Sequence, residues 1–167
     1  MTTVTPTLIV CEQTDRWRLG WQTWQARRAP SKSPPSKASR RTVTLLRSLR
    51  RLAELPATID RFRPAGVLLE VTSDNRVSTC EQLARLRATW PARALFVAGS
   101  RAERGVEAAA RWAGATACAW SVRELQPLVD WFENYCLELE SPTRSWEQQI
   151  LDALPWGGAS RLLQAEE

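Results

Sequence analysis

The chain has 167 residues and a formal net charge of +5, and this length suits one domain with a substantial core. It contains no histidine, which excludes Ser-His-Asp and Cys-His nucleophile pairs, histidine metal ligands and phosphohistidine relays. The only lysines, Lys32 and Lys37, lie in a Pro/Ser-rich stretch, so the core has no lysine for a Schiff base or for binding phosphate.

The positive charge is concentrated in the first part of the chain. Residues 1–63 hold 13 basic and 4 acidic side chains, a net charge of +9 that leaves −4 for the remainder. This asymmetry indicates either an acidic partner, such as nucleic acid, or a solvated basic rim. The candidate anion or nucleic-acid contacts are Arg40, Arg41, Arg47, Arg50 and Arg51.

The cysteines and the apolar runs indicate the compartment. Cys11, Cys80, Cys118 and Cys136 lack CxxC spacing and fall at apolar positions, which is typical of small buried side chains in a reducing compartment. The first residues lack the charged region of a signal peptide, and no apolar run reaches membrane-spanning length. We therefore expect a cytoplasmic protein without a membrane segment.

The first two predicted strands flank a tryptophan-rich helix. The apolar run 8–11 predicts a strand that ends at Glu12, and Trp17, Trp21 and Trp24 follow at the spacing of one helix face. The Pro/Ser-rich stretch 29–39 cannot bury apolar surface and is expected to be a flexible insertion. A β-branched run at 42–46 predicts the second strand.

The third predicted strand ends in a carboxylate. A helix from about residue 49 to 62, interrupted at Pro56, precedes an apolar run that ends at Glu70 and Val71. Such a run is typical of a strand buried on both faces in the middle of an α/β sheet. Because open α/β sheets place their sites at the carboxyl edge, Glu70 is the first candidate functional residue.

The remaining elements continue the alternation. Ser78 and Glu81 fit a capping box at the start of a helix, and Gly114 fits the left-handed position that closes another. The predicted strands are 94–98 and 115–120, and the helices include 103–113 and 125–139, the last with Pro127 in its first turn.

Five alternating βα units predict a three-layer, flavodoxin-like, doubly wound α/β domain with a parallel five-stranded sheet. The expected strand order is 2-1-3-4-5, which brings Glu12 and Glu70 to one crevice. The predicted domain covers residues 1–140, and 141–167 form a tail with a short amphipathic helix around Trp146. That helix either packs on the domain or docks in a partner's groove.

Across residues 7 to 139 the chain resembles the receiver domain of two-component response regulators. The resemblance rests on the strand 64–71, on Gly114-Ala115 before the fifth strand and on the leucine spacing of the last helix. It implies an acidic pair at Cys11 and Glu12, the phosphoacceptor aspartate at Glu70, a hydroxyl residue at Ala98 and a lysine at Ser121. Each position departs from the family's pattern, except for the single carboxylate of Glu12.

The departures predict a pseudo-receiver that has lost phosphoacceptor chemistry, because phosphoryl transfer depends on positioning and charge neutralisation. We therefore expect no enzyme activity, no catalytic residue, no cofactor and no dedicated metal site, with a weak divalent-cation site at Glu12 and Glu70 as the remaining alternative. Glu70 either imitates a phosphorylated aspartate or is a plain strand-end glutamate.

The leading functional hypothesis is a non-catalytic signalling or protein-interaction module, and the alternative is a nucleic-acid-associated protein. Tryptophans are favoured interface anchors. The competing interpretation is that Trp17, Trp21 and Trp24 pack the first helix on the sheet. The resemblance also permits a homodimer. The candidate partner-binding residues are Trp17, Trp21, Trp24, Trp146 and Trp156.

Overall fold

The computed structural model describes residues 5–27 and 44–140. Five parallel strands form one sheet in the order β2-β1-β3-β4-β5. This is the flavodoxin-like order, so the predicted fold class and topology are confirmed. The strands are β1 (Thr7–Cys11), β2 (Leu45–Leu49), β3 (Gly66–Val71), β4 (Ala94–Gly99) and β5 (Ala117–Ala119).

In the described residues, four helices connect the strands and a fifth follows β5, and together they cover both faces of the sheet. They are α1 (Arg16–Arg27), α2 (Leu55–Phe62), α3 (Arg76–Thr89), α4 (Glu107–Trp112) and α5 (Leu125–Glu140). Short 3-10 segments precede α2, α4 and α5. Alternate residues of the central strands point to opposite faces, so the sheet has two apolar cores.

The first core lies between the sheet and the helices α1 and α5. Phe96 of β4 packs there against Trp21 and Phe132, with ring centroids 6.0 and 5.8 Å away. The second core lies on the other face, where Leu69 and Val97 meet Leu55 of α2 and Leu83 of α3. The central strands are therefore buried on both faces, as their unbroken apolar runs predict.

Several predicted boundaries shift in the structure. The second strand runs from Leu45 to Leu49, three residues later than predicted at its start, because it pairs in register with β1 from Thr7 to Cys11. Pro56 does not interrupt its helix but lies in the first turn of α2, where its missing N–H has no intrahelical partner to lose. Pro127 likewise lies in the first turn of α5.

The predicted capping box is wrong. Helix α3 begins at Arg76, so Ser78 lies inside it, and the Ser78 hydroxyl donates to the Asn75 carbonyl at 3.0 Å. The alanine-rich helix is shorter than predicted, since 101–106 form a 3-10 segment before α4. Gly114 has the predicted left-handed backbone, with φ of 107°. The insertion 29–39 and the tail 141–167 lie outside the described residues, so both remain predictions.

Candidate functional site

The carboxyl ends of β1 and β3 form a small crevice of about 140 Å³. Because β1 and β3 are neighbours in the sheet, Glu12 and Glu70 reach the same edge, as the sequence predicts. Cys11 is the last residue of β1, and the other lining residues come from the segments that follow β1, β2 and β3. The lining consists of Cys11, Glu12, Gln13, Arg50, Leu52, Glu70 and Asn75.

Glu12 is buried at the start of helix α1 and is only 2% exposed. Its Oε2 accepts the Trp17 backbone N–H at 2.7 Å, and its Oε1 accepts that of Arg18 at 3.1 Å. These donors are orphan amides of the first helical turn, and the positive end of the helix favours an anion there. Burial nevertheless raises the pKa of Glu12, while these two hydrogen bonds oppose the rise and the charges of Glu70 and Asp15 add to it.

Glu70 closes the crevice from the β3 side. Its Oε2 accepts the Gln13 backbone N–H at 2.7 Å, and its Oε1 accepts the indole Nε1–H of Trp17 at 3.1 Å. The carboxylate therefore bridges the β1–α1 loop and the helix α1. Trp17 takes part twice, since its backbone binds Glu12 and its side chain binds Glu70.

Asn75, which the sequence interpretation missed, holds the loop after β3. Its Oδ1 accepts the Thr72 N–H at 2.7 Å, and its Nδ2–H donates to the Glu70 carbonyl at 3.0 Å. An asparagine that binds its own loop in this way is a common device for tight turns. The pattern Thr-Ser-Asp-Asn after the strand is the signal that identifies such a turn in the sequence.

The arginines predicted as anion contacts behave differently from one another. Arg50 lies at the crevice, but its guanidinium donates to the Gln13 carbonyl at 2.7 Å and pairs with Asp15 at 2.8 Å, and this pairing lowers the pKa of Asp15. The Arg47 guanidinium lies 3.7 Å from the ring centroid of Phe62. Arg51 is exposed, and Arg40 and Arg41 lie outside the described residues.

Ala98 and Ser121, at the ends of β4 and β5, are both uncharged. Ala98 is fully buried within β4, and Ser121 lies directly after Trp120. The buried indole of Trp120 donates from Nε1 to Glu107 at 2.8 Å. That bond and the Arg111 pair lower the pKa of Glu107.

A second ion pair lies at the same edge of the sheet. Arg76 Nε lies 2.6 Å from Oε2 of Glu103, a residue that is only 8% exposed. It joins the start of α3 to the segment after β4, and the contact raises the pKa of Arg76. The sequence interpretation missed this pair, because its partners are 27 residues apart.

The structure corrects the prediction that Trp17 and Trp21 are partner-binding residues. Both are buried, at 1% and 0% exposure, and pack α1 on the sheet, as the competing interpretation holds. Trp24 is half-buried and donates from Nε1 to the Val122 carbonyl at 3.0 Å. Trp146 and Trp156 lie outside the described residues.

Two other tryptophans, not singled out from the sequence, are exposed. Trp112 at the end of α4 is 92% exposed, and Trp131 of α5 is 43% exposed. Trp131 stacks on Tyr135 with centroids 5.2 Å apart. The sequence signal for Trp112 is an alanine-rich helix that ends in a tryptophan.

The crevice suits hydrogen bonding within the chain better than it suits a divalent cation. All four carboxylate oxygens of Glu12 and Glu70 accept N–H donors, and amide hydrogens repel a nearby cation. Within residues 5–27 and 44–140, no group of three or more Cys, Asp or Glu side chains could hold a metal ion. The receiver fold's Mg²⁺ therefore does not fit the residues present.

The cysteines described here do not favour nucleophilic chemistry. Burial raises the pKa of Cys11 to about 11 and that of Cys118 to about 11. A thiol reacts as its thiolate, so at neutral pH both side chains are neutral thiols that pack as small apolar groups.

Among residues 5–27 and 44–140, none of the helices has the length and hydropathy of a membrane span.

Comparison with known proteins supports the fold assignment. No family model matches the chain, and no curated protein matches it. Solved structures do match, at low sequence identity, and they are receiver domains of response regulators or CheY-like proteins. The chain therefore has the receiver fold.

Three of these structures illustrate the similarity. A response regulator from Thermotoga maritima has a TM-score of 0.60 at 13% identity, covering 78% of this chain and 99% of its own. The CheY-like protein TadZ from Pseudomonas aeruginosa has a TM-score of 0.56 at 15% identity, covering 78% and 94%. The signal receiver domain of an HD domain-containing protein from Pseudomonas fluorescens has a TM-score of 0.55 at 14% identity, covering 85% and 97%.

Proposed function

We propose that this protein is a non-catalytic receiver-like module that signals or assembles through protein contacts and does not use phosphoryl transfer. The observation that carries the proposal is the hydrogen bonding of Glu70, which stands in the crevice at the position equivalent to the phosphoacceptor. Both of its oxygens accept hydrogen bonds from the chain, from the Gln13 amide and the Trp17 indole. A carboxylate in this role has a structural task that competes with attack on phosphorus.

The surrounding residues support the same conclusion. Phosphoryl transfer needs cations and hydroxyls placed around the transferred group, whereas Ala98 supplies a methyl group and Ser121 replaces the lysine. Arg50, the basic residue that lines the crevice, is paired with Asp15. The mimicry of a phosphorylated aspartate by Glu70 is less well supported, because its bonds run to α1 and not towards β4 and β5.

The first test is titration of the isotopically labelled protein with Mg²⁺ and beryllofluoride, a phosphoryl analogue, followed by backbone NMR. We expect no saturable shift changes at Gln13, Glu70 or Ala98. An active receiver would show such shift changes at all three residues, which lie near the carboxyl ends of β1, β3 and β4. Saturable binding that a Glu70→Gln variant abolishes would contradict the proposal.

The protein-contact part of the proposal is supported by the exposed tryptophans of α4 and α5. A 92% exposed indole such as Trp112 loses much unfavourable hydration when a partner covers it. The experiment is affinity capture of the tagged chain from its native lysate with and without nuclease. Trp112→Ser is the test variant, and Leu19→Ser at a 51% exposed position of α1 is the control.

A discrete protein that survives nuclease and is lost only with Trp112→Ser would support the proposal. A nuclease-sensitive set of ribosomal or chromosomal proteins would instead favour the nucleic-acid alternative. For that alternative, the described arginines give little support, since Arg47 and Arg50 are engaged with Phe62 and Asp15. Steep salt dependence of binding would be its second signature.

A further inference from the structure

A larger groove lies at the opposite edge of the sheet from Glu70. It has a volume of about 500 Å³, within the range of small-molecule sites. The loops that enter β3 and β4 form it, together with the end of α2. Its lining residues are Ile59, Asp60, Arg63, Pro64, Trp90 and Arg93.

Trp90 gives the groove an aromatic wall. It follows the last turn of α3, is half-buried and packs against the second core. Its backbone N–H donates to the Leu86 carbonyl at 2.7 Å. With its backbone held by this bond and its ring packed against the core, Trp90 offers an aromatic surface on which a planar ring can stack.

Two arginines line the same groove from different loops. No ion pair of the described residues includes Arg63 or Arg93. Arg93 belongs to a loop that is fixed in place, because Arg87 donates to the Pro91 carbonyl at 2.6 Å and to the Arg93 carbonyl at 3.2 Å. The guanidinium therefore extends from a preorganised backbone, which lowers the entropy cost of binding an anion.

Arg63 occupies a backbone position that ordinarily favours glycine. It ends α2 with φ of 43° and ψ of 56°, in the left-handed region, and its N–H donates to the Ile59 carbonyl at 2.8 Å. Glycine would close the helix equally well without the steric cost of a side chain. A strained non-glycine residue beside a groove points to a function for its side chain.

We propose that this groove binds a nucleoside monophosphate. The base stacks on Trp90, and the phosphate is held by the guanidiniums of Arg63 and Arg93, whose geometry matches phosphate oxygens. Asp60, the one carboxylate of the lining, is placed to accept hydrogen bonds from ribose hydroxyls. The aromatic, basic and acidic side chains of the groove thus match the base, the phosphate and the ribose of one ligand.

This site is separate from the crevice of Glu70, so it does not depend on the proposed loss of phosphoacceptor chemistry. Ligand binding at the loops before β3 and β4 would make the module sensitive to a nucleotide in place of phosphorylation. The proposed loss of phosphoacceptor chemistry and the proposed nucleotide site can be refuted separately. Beryllofluoride binding tests the carboxyl edge of the sheet, and nucleotide binding tests the opposite edge.

The test is isothermal titration calorimetry of the full chain with AMP, GMP and CMP, and with adenosine, ribose 5-phosphate and inorganic phosphate for comparison. We expect at least one nucleotide to bind in a 1:1 ratio. The compounds that lack the base or the phosphate should bind about tenfold more weakly or worse, because each loses one set of contacts. Absence of binding by all three nucleotides at millimolar concentration would overturn the proposal.

The decisive variant is Arg63→Gly, because it separates binding from folding. It should weaken nucleotide binding about tenfold or more, while the thermal midpoint stays the same or rises as backbone strain is relieved. Arg93→Gln and Trp90→Leu should also weaken binding. Arg101→Gln, the same charge change after β4, should have no effect, and equal losses in Arg63→Gly and Arg101→Gln would show general attraction to a basic surface and overturn the site.

Discussion

Glu12 combines an unfavourable burial of its carboxylate with favourable hydrogen bonds to the start of α1. It is buried, and burial raises its pKa, yet its two oxygens cap the first amides of α1. The sequence predicted that Glu12 and Glu70 share a crevice, because parallel strands end at one edge. It did not predict their donors, since the Trp17 indole reaches Glu70 across 53 residues of sequence.

The raised pKa gives Glu12 a measurable effect on stability. In the folded state it takes up a proton at higher pH than in the unfolded chain, so the free energy of unfolding should rise as pH falls from neutral towards the ordinary value of 4.5. Asp15 and Glu107 have lowered pKa values, so their ionised carboxylates stabilise the folded state near neutral pH. This contribution is lost as the pH falls below their ordinary pKa values.

The variant Glu12→Gln should therefore show a smaller rise in unfolding free energy over this pH range than the wild type. Urea denaturation at a series of pH values measures it. Glu81→Gln removes the same charge from an exposed position of α3 and serves as the control. If Glu12→Gln and the wild type have the same pH dependence, Glu12 does not titrate with a raised pKa.

At the scale of elements, Arg87 joins three parts of the fold. From α3 it donates to the carbonyls of Gly114, Pro91 and Arg93 and to the Thr116 hydroxyl. Gly114 permits this approach, because a Cβ there would lie 2.7 Å from that of Arg87 and because φ is 107°. The predicted helix-closing glycine is thus also a packing position, which local sequence rules do not reveal.

Replacing Arg87 by lysine should lower the free energy of unfolding by about 2 kcal/mol, because an ammonium group cannot span the same set of acceptors. Arg85→Lys, two residues earlier on the exposed side of α3, should change it by less than about 0.5 kcal/mol. Chemical denaturation of both variants checks the difference. Equal losses would show that the hydrogen bonds of Arg87 do not carry the effect.

For the whole molecule, the hydrogen-bonded carboxylates of the crevice predict that folding is independent of divalent cations. A ligand that binds only the folded state raises the thermal midpoint by mass action. Because the oxygens of Glu12 and Glu70 already accept N–H donors, millimolar Mg²⁺ should leave the midpoint unchanged in a thermal scan. A rise that Glu12→Gln removes would instead identify a cation site at the crevice.

The sequence by itself determined the order of the elements, because apolar runs, helical periodicity and strict βα alternation are local patterns. It favoured the strand order 2-1-3-4-5 as the commonest arrangement of five such units, and the structure has that order. It also placed Glu12 and Glu70 at one edge. Only the tertiary structure decided that Trp17 and Trp21 are core while Trp112 is exposed, that Arg50 is paired, and that Trp90 shares a groove with Arg63 and Arg93. Those facts depend on contacts between distant residues, for which periodicity carries no information.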